Sequence, residues 1–126
     1  MAEKAHKLPG PDHPMAIEPH HGRILVRAGG QVIADTKVAQ TLREASYRPV
    51  FYLPRADVNM ALLQRTDHAT HCPYKGDCSY YSIPSGGPKA VNAVWSYEDP
   101  YPAAAAIRGY VAVYPDRVDS IDEVAA

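Results

Sequence analysis

The chain has few long apolar runs, and this limits where it can reside. The longest are AAAAI at 103–107 and YVAVY at 110–114, far short of the ~20 apolar residues that a bilayer-spanning helix needs. The first 22 residues also contain four prolines and four histidines and lack the continuous apolar core of a secretory signal. We therefore expect a cytoplasmic protein with no membrane partner.

Net charge and cysteine are also scarce. Thirteen basic and fourteen acidic residues give a formal charge of −1, so no broad positive field is available to attract nucleic acid, and we expect no such partner. Cys72 and Cys78 are the two cysteines of the sequence, too few for a disulfide framework or a four-thiolate zinc site. We expect both to be reduced thiols.

The pattern that remains predicts a mainly β fold. Twelve prolines interrupt the chain and exclude long helices, because proline removes a backbone donor and clashes with the preceding turn. RILVRAGGQVIADT (23–36) predicts a hairpin around a Gly-Gly turn. RPVFYLP (48–54), CSYYSI (78–83), AVNAVWSY (90–97) and YVAVY (110–114) predict further strands, with alternate residues on opposite faces. Residues 57–65 have helical spacing and predict a short helix.

One domain is expected from 126 residues. The predicted organisation is a flexible N-terminal arm at residues 1–14, a compact domain at 15–119 and a C-terminal tail at 120–126. Six or seven short strands, separated by turns about every ten residues, favour an all-β sandwich, barrel or folded sheet, with one or two short helices.

The segment 66–83 concentrates chemically reactive side chains. His68, His71, Cys72 and Cys78 are zinc-competent ligand types, but their spacing matches no standard structural zinc site. No metal site is predicted, although the sequence leaves open whether these four residues ever bind metal. A cysteine activated by His71 is a further hypothesis. Lys75-Gly76 is interpreted as a loop tip that carries a mobile positive charge.

Tyrosine is abundant, with nine tyrosines against one phenylalanine. Buried hydroxyls need hydrogen-bond partners, so a wholly apolar core does not favour this composition. Tyrosines on strands can instead line a cleft with aromatic rings and polar tips. The candidate ligand-binding residues are Arg48, Tyr52, Tyr74, Lys75, Tyr81, Trp95 and Tyr97.

Several motifs occur in an order that resembles domain-of-unknown-function family 427, also labelled nucleotidyltransferase-like. They are HPMAIEP (13–19), GGQVIADT (29–36), RPVFYLPRADV (48–58), CPYKGDCSYYSI (72–83), AVWSYEDPYP (93–102) and AIRGYVAVYPDRVD (106–119). The resemblance implies a single compact antiparallel sheet folded in the β-tent architecture, similar in outline to Mss4-like zinc proteins and methionine sulfoxide reductase B. This chain lacks the two C-x-x-C pairs that hold zinc in those relatives, so their metal is not expected here.

Three functions follow as hypotheses. The first is binding of a small anionic or aromatic ligand in the tyrosine- and tryptophan-lined cleft, with catalysis left open. The second is Mg²⁺-dependent nucleotidyl transfer, which the family label implies, although the chain contains no D-x-D pair to hold the ion. The third is a non-catalytic module that binds a protein through exposed tyrosines. No cofactor other than this Mg²⁺ is expected, and the residues do not indicate an oligomeric state.

Overall fold

The computed structural model describes residues 4–125, which form ten β-strands and six short 3-10 turns. The strands are β1 (Met15–Pro19), β2 (Arg23–Ala28), β3 (Gln31–Thr36), β4 (Gln40–Glu44), β5 (Val50–Tyr52), β6 (Gln64–Cys72), β7 (Gly76–Ser82), β8 (Val94–Ser96), β9 (Val111–Val113) and β10 (Ser120–Val124). The 3-10 turns are Arg55–Asp57, Met60–Leu62, Pro84–Gly86, Pro88–Ala90, Pro102–Ile107 and Pro115–Arg117. None of the helical segments within 4–125 has the length and apolar character to cross a bilayer.

The strands form three antiparallel sheets, with the orders β1-β4-β5, β10-β2-β3 and β6-β7-β8-β9. The prediction of a compact, mainly β, antiparallel fold is therefore confirmed. The first and third sheets are joined where Leu53, just after β5, pairs with Val111 of β9. Two backbone hydrogen bonds of 2.8 and 2.9 Å make this junction.

The Gly-Gly hairpin is present as predicted, between β2 and β3. Gly29 and Gly30 have φ angles of 59° and 75°, the left-handed pair that a two-residue turn of the primed type requires.

The strand predicted around residue 51 is β5, and the side chains on its two faces pack in different cores. Val50 and Tyr52 pack in one core, while Phe51 and Leu53 pack in the other.

The short helix predicted over 57–65 is wrong. Two 3-10 turns flank Val58, whose extended backbone forms a β-bridge with Ala34 of β3. The Asn59 amide also donates to the Ile33 carbonyl at 2.8 Å. Pairing with β3 thus satisfies the backbone groups that a helix would have satisfied internally, and tertiary structure overrides the local pattern.

The chain ends contribute more than an arm and a tail. The predicted C-terminal tail contains β10, which pairs with β2 along its whole length. The predicted N-terminal arm contacts the domain, because the Lys7 amide donates to the Pro73 carbonyl at 2.8 Å. Residues 1–3 of that arm and residue 126 of that tail lie outside the described residues.

Candidate functional site

A cavity of about 220 Å³, here called the first cavity, opens between β4, β5, β7 and β8. Aromatic side chains dominate its walls, and a buried carboxylate and a buried ammonium lie among them. The lining residues are Leu42, Glu44, Tyr47, Arg48, Val50, Tyr52, Lys75, Tyr80, Trp95, Tyr97 and Tyr114.

Five of the seven predicted ligand-binding residues line this cavity: Arg48, Tyr52, Lys75, Trp95 and Tyr97. Strand pairing brings them together, because Tyr80 of β7 lies directly opposite Trp95 of β8. Trp95 and Tyr97 are two positions apart and share one core, as the period of a strand requires. The 72–82 segment therefore lies beside Trp95 and Tyr97.

Tyr81 does not line the first cavity, because it points to the opposite face of β7 from Tyr80. There its hydroxyl donates to Glu98 at 3.2 Å and accepts from Arg55 at 3.2 Å. Arg55 also donates to Glu98 at 2.8 Å. This cluster satisfies its own polar groups and ties β7 to the chain after β8.

Tyr74 also lies outside the lining. Its ring stacks on the imidazole of His13, with 3.8 Å between ring centroids and 2° between planes. His13 in turn contacts Glu44, with 2.7 Å between Nε2 and Oε2. Tyr74 therefore supports the cavity indirectly, by covering the histidine that holds its carboxylate.

Glu44 and Lys75 form a buried ion pair in the cavity wall. Glu44 Oε1 accepts from Lys75 Nζ, and the other carboxylate oxygen contacts His13. Burial opposes ionisation of Glu44, but the hydrogen bonds from Lys75 and His13 outweigh it and lower the pKa of the carboxyl. Glu44 is thus an anion at neutral pH.

The expectation of a mobile charge at Lys75 is wrong. Only 9% of the residue is exposed, and Nζ lies 5.5 Å from the centre of the Tyr97 ring. The pairing with Glu44 holds the ammonium within the wall, since an unpaired buried charge would be costly. The charge of Lys75 is therefore already largely neutralised by Glu44, and it attracts a ligand anion only weakly.

Three tyrosines of the cavity, Tyr52, Tyr80 and Tyr97, are neutral phenols. Burial raises the pKa of Tyr52, Tyr80 and Tyr97 far above that of a free phenol. Trp95 Nε1 donates to the Tyr52 hydroxyl at 3.1 Å. Such groups offer hydrogen bonds and ring faces to a ligand rather than a base at neutral pH.

Among the residues that the structure describes, Arg48 is the free cation of the site. Its side chain is exposed and makes no ion pair or hydrogen bond within residues 4–125. Because Arg48 lines the cavity and is exposed to solvent, it lies at the mouth of the cavity. Its charge is therefore available to an entering ligand.

Four cavity residues that bear polar groups are not among the seven predicted ligand-binding residues: Glu44, Tyr47, Tyr80 and Tyr114. A period-two signal identifies two of them. Tyr80 is two positions from the buried Cys78, and Tyr114 is two positions from the buried Ala112. The same period puts Glu44 on the face of Leu42, but a glutamate is seldom buried, so its charge argues against a place in the cavity.

The reactive cluster at 66–83 does not assemble as a metal or nucleophilic site. No three His, Cys, Asp or Glu side chains in the described range are grouped to hold an ion. His71 contacts Asp77 and the Ala5 carbonyl, at 2.8 and 2.6 Å, rather than a thiol. Cys72 and Cys78 are free, and burial raises the pKa of the Cys78 thiol. These contacts leave neither thiol activated.

Comparison with known proteins places the chain in a family. No curated protein matches it. A family model described as "Domain of unknown function (DUF427)" matches residues 16–124, a span that reaches from within β1 to the end of β10. The word nucleotidyltransferase enters only through the short name of that model. The chain therefore belongs to the DUF427 family.

Proposed function

We propose that the first cavity binds a small anionic or aromatic ligand. The observation that carries the proposal is the unpaired Arg48 at the mouth of a cavity walled by tyrosines and Trp95. An arginine fork matches a carboxylate or phosphate, and ring faces favour a flat apolar body. Ligand sites commonly combine such aromatic walls with a few polar groups.

The two cations of the cavity have different roles in this proposal. Lys75 is balanced by Glu44, so a ligand anion gains little from it. Arg48 has no such partner in the described chain, and at neutral pH it leaves the site with an excess of positive charge. The charged group of the ligand therefore lies at Arg48. The neutral phenol hydroxyls deeper in the cavity form hydrogen bonds with the rest of the ligand.

The cavity also limits the size of the ligand. Its volume of about 220 Å³ is below the roughly 300–1,000 Å³ of sites for drug-sized molecules. A single ring with one acidic group is a suitable probe, and a whole nucleotide is not.

Nucleotidyl transfer gains no support from the side chains at this site. Glu44 is the single carboxylate among the lining residues, and its two oxygens already bind Lys75 and His13. A Mg²⁺ site for phosphoryl chemistry needs carboxylate oxygens that are free to coordinate. The donor set does not fit that ion.

The test uses Trp95, the single tryptophan of the chain, as an internal probe. Benzoate, 4-hydroxybenzoate, inorganic phosphate and ATP with Mg²⁺ are titrated while emission and thermal unfolding are followed. We expect saturable changes with the aromatic acids and none with ATP. If none of the four perturbs emission or unfolding at millimolar concentration, the proposal is wrong.

Arg48→Gln provides the charge test, with Arg43→Gln as its matched control. Arg43 is an exposed strand arginine paired with Glu18 at 2.8 Å and does not line the cavity. Because a hydrogen bond to a charged group contributes about 1.5–3 kcal/mol, Arg48→Gln should weaken benzoate binding about tenfold or more. Arg43→Gln should leave it unchanged.

A further inference from the structure

A second, larger cavity of about 620 Å³ lies on the other side of β5, between that strand, β9 and the β2–β10 pair. Fully buried aliphatic side chains form its floor: Ile24, Val26 and Leu53, with the nearly buried Val113. Half-buried residues form the walls: Val50, Phe51, Trp95, Tyr114 and Ile121. Exposed residues form the rim: Arg48, Pro49, Pro115 and Asp116.

The volume and lining indicate the kind of molecule that fits. At about 620 Å³ the cavity is within the range of small-molecule sites, which are mostly apolar with a few placed polar groups. Its floor is aliphatic and offers no polar side chain. An alkyl chain gains from leaving water for such a surface, whereas a sugar or a phosphate does not.

Two charged side chains, Arg48 and Asp116, lie on the rim and do not form an ion pair with each other. Neither Arg48 nor Asp116 makes an ion pair within the described residues. Arg48 presents a planar fork of donors that binds a carboxylate through two parallel hydrogen bonds. Asp116 is a single carboxylate that would repel such a head group.

We propose that this second cavity binds an aliphatic monocarboxylate, with its chain on the apolar floor and its carboxylate on Arg48. The site is distinct from the first cavity, because Ile24, Val26, Phe51 and Ile121 line the second cavity alone. The two share Arg48, Val50, Trp95 and Tyr114. The inference therefore goes beyond the proposed function and holds whether or not the first cavity takes an aromatic ligand.

Isothermal titration calorimetry with hexanoate and octanoate, each below its critical micelle concentration, tests whether the alkyl chain of the ligand is buried. One buried methylene contributes about 0.8 kcal/mol, or about fourfold in affinity. Octanoate has two methylenes more than hexanoate, so it should bind about fifteenfold more tightly. Equal affinity for the two acids would overturn the proposal, because an apolar floor must respond to chain length.

Octanol and octylamine test the head group. Octanoate should bind more tightly than either, and Arg48→Gln should weaken octanoate about tenfold while leaving octanol unchanged. Asp116→Asn should strengthen octanoate binding about twofold, because it removes a repulsive charge. The control is Asp67→Asn, at an exposed aspartate outside both cavities, which should leave octanoate binding unchanged. Tightest binding by octylamine would overturn the proposal.

Ile121→Phe separates the two cavities. The larger ring occupies space in the second cavity alone, so octanoate binding should be lost while the response to benzoate is unchanged. Octanoate binding that survives in Ile121→Phe would place octanoate in the first cavity and overturn the proposal. Since Arg48→Gln and Asp116→Asn change exposed side chains, they keep the test valid if Ile121→Phe does not fold.

Discussion

At the residue scale, the most informative feature is a buried ion pair that looks like two separate surface residues in the sequence. Glu44 ends β4 and Lys75 precedes β7, 31 positions away. Taking both charges out of water is costly, and their attraction repays that cost only while both partners and their hydrogen bonds are present. His13 supplies the second contact to the carboxylate.

Replacing Lys75 with methionine should therefore destabilise the protein strongly. The substitution leaves the Glu44 carboxylate buried without its main partner, and we expect the free energy of unfolding to fall by about 3 kcal/mol. Urea denaturation measures the change.

The double variant Glu44→Met with Lys75→Met is the matched control. It removes both charges and keeps similar volume, so it should be more stable than Lys75→Met alone. If the double variant is the less stable of the two, the buried charge is not the cause of the loss.

At the element scale, period-two alternation decides which tyrosine reaches the first cavity. Tyr80 and Tyr81 are neighbours on β7, so they point to opposite faces. The register with β8, in which Tyr80 lies opposite Trp95, gives the cavity face to Tyr80. The β2–β3 turn is constrained in a different way, by close packing of its backbone against the 3-10 turn that follows β7.

Alanine substitutions in the Gly29-Gly30 turn should therefore differ in their effect. A Cβ on Gly29 would lie 2.0 Å from the Ser85 carbonyl oxygen, whereas one on Gly30 meets no atom within 4 Å. Both glycines have positive φ, so each change costs about 1–2 kcal/mol in backbone strain. Gly29→Ala should lose clearly more stability than Gly30→Ala, as measured by chemical denaturation. Equal losses would mean that the contact with Ser85 is easily relieved.

At the scale of the whole molecule, the described part of the N-terminal arm is held across the β6–β7 hairpin. His71 contacts the Ala5 carbonyl and Asp77, and Lys4 donates to the same Asp77 carboxylate at 2.7 Å. The His6 ring stacks on Tyr101 at 3.7 Å. These contacts tie residues 4–7 to the domain through charges that depend on pH.

Docking of the arm should weaken as pH rises through the pKa of His71. The hydrogen bond to the Ala5 carbonyl, and then that to Asp77, raise this pKa, with Lys4 opposing them. A raised histidine pKa means that its stabilisation is complete below the unfolded value of about 6.5 and is lost above the folded pKa. Hydrogen exchange at the Lys7 amide, which donates to Pro73, should show protection that is full below about pH 6.5 and falls as pH rises through the raised pKa of His71.

Two histidine variants control this experiment. His71→Gln should abolish the pH dependence of Lys7 protection. His68→Gln should keep it, because His68 packs against Tyr80 and has no hydrogen bond to the described part of the arm, residues 4–14. Protection that is level or rises with pH in the unmodified protein would contradict the role of His71.

The sequence by itself determined the features that depend on near neighbours. The Gly-Gly hairpin follows from backbone freedom at two adjacent residues, and the two faces of β5 follow from alternation. The shared face of Trp95 and Tyr97 has the same origin. These features need only local geometry, so they can be predicted without knowing the fold.

Tertiary structure alone decided the rest. Val58 is extended because β3 offers it a partner, Glu44 is buried because Lys75 arrives from 31 positions away, and β10 forms because β2 has a free edge. The first cavity needs β4, β5, β7 and β8 together, and the second needs β10 packed beside β5 and β9. Each of these features depends on groups that are far apart in the chain. The free energy of their pairing outweighs local conformational preference, so the local sequence pattern does not predict them.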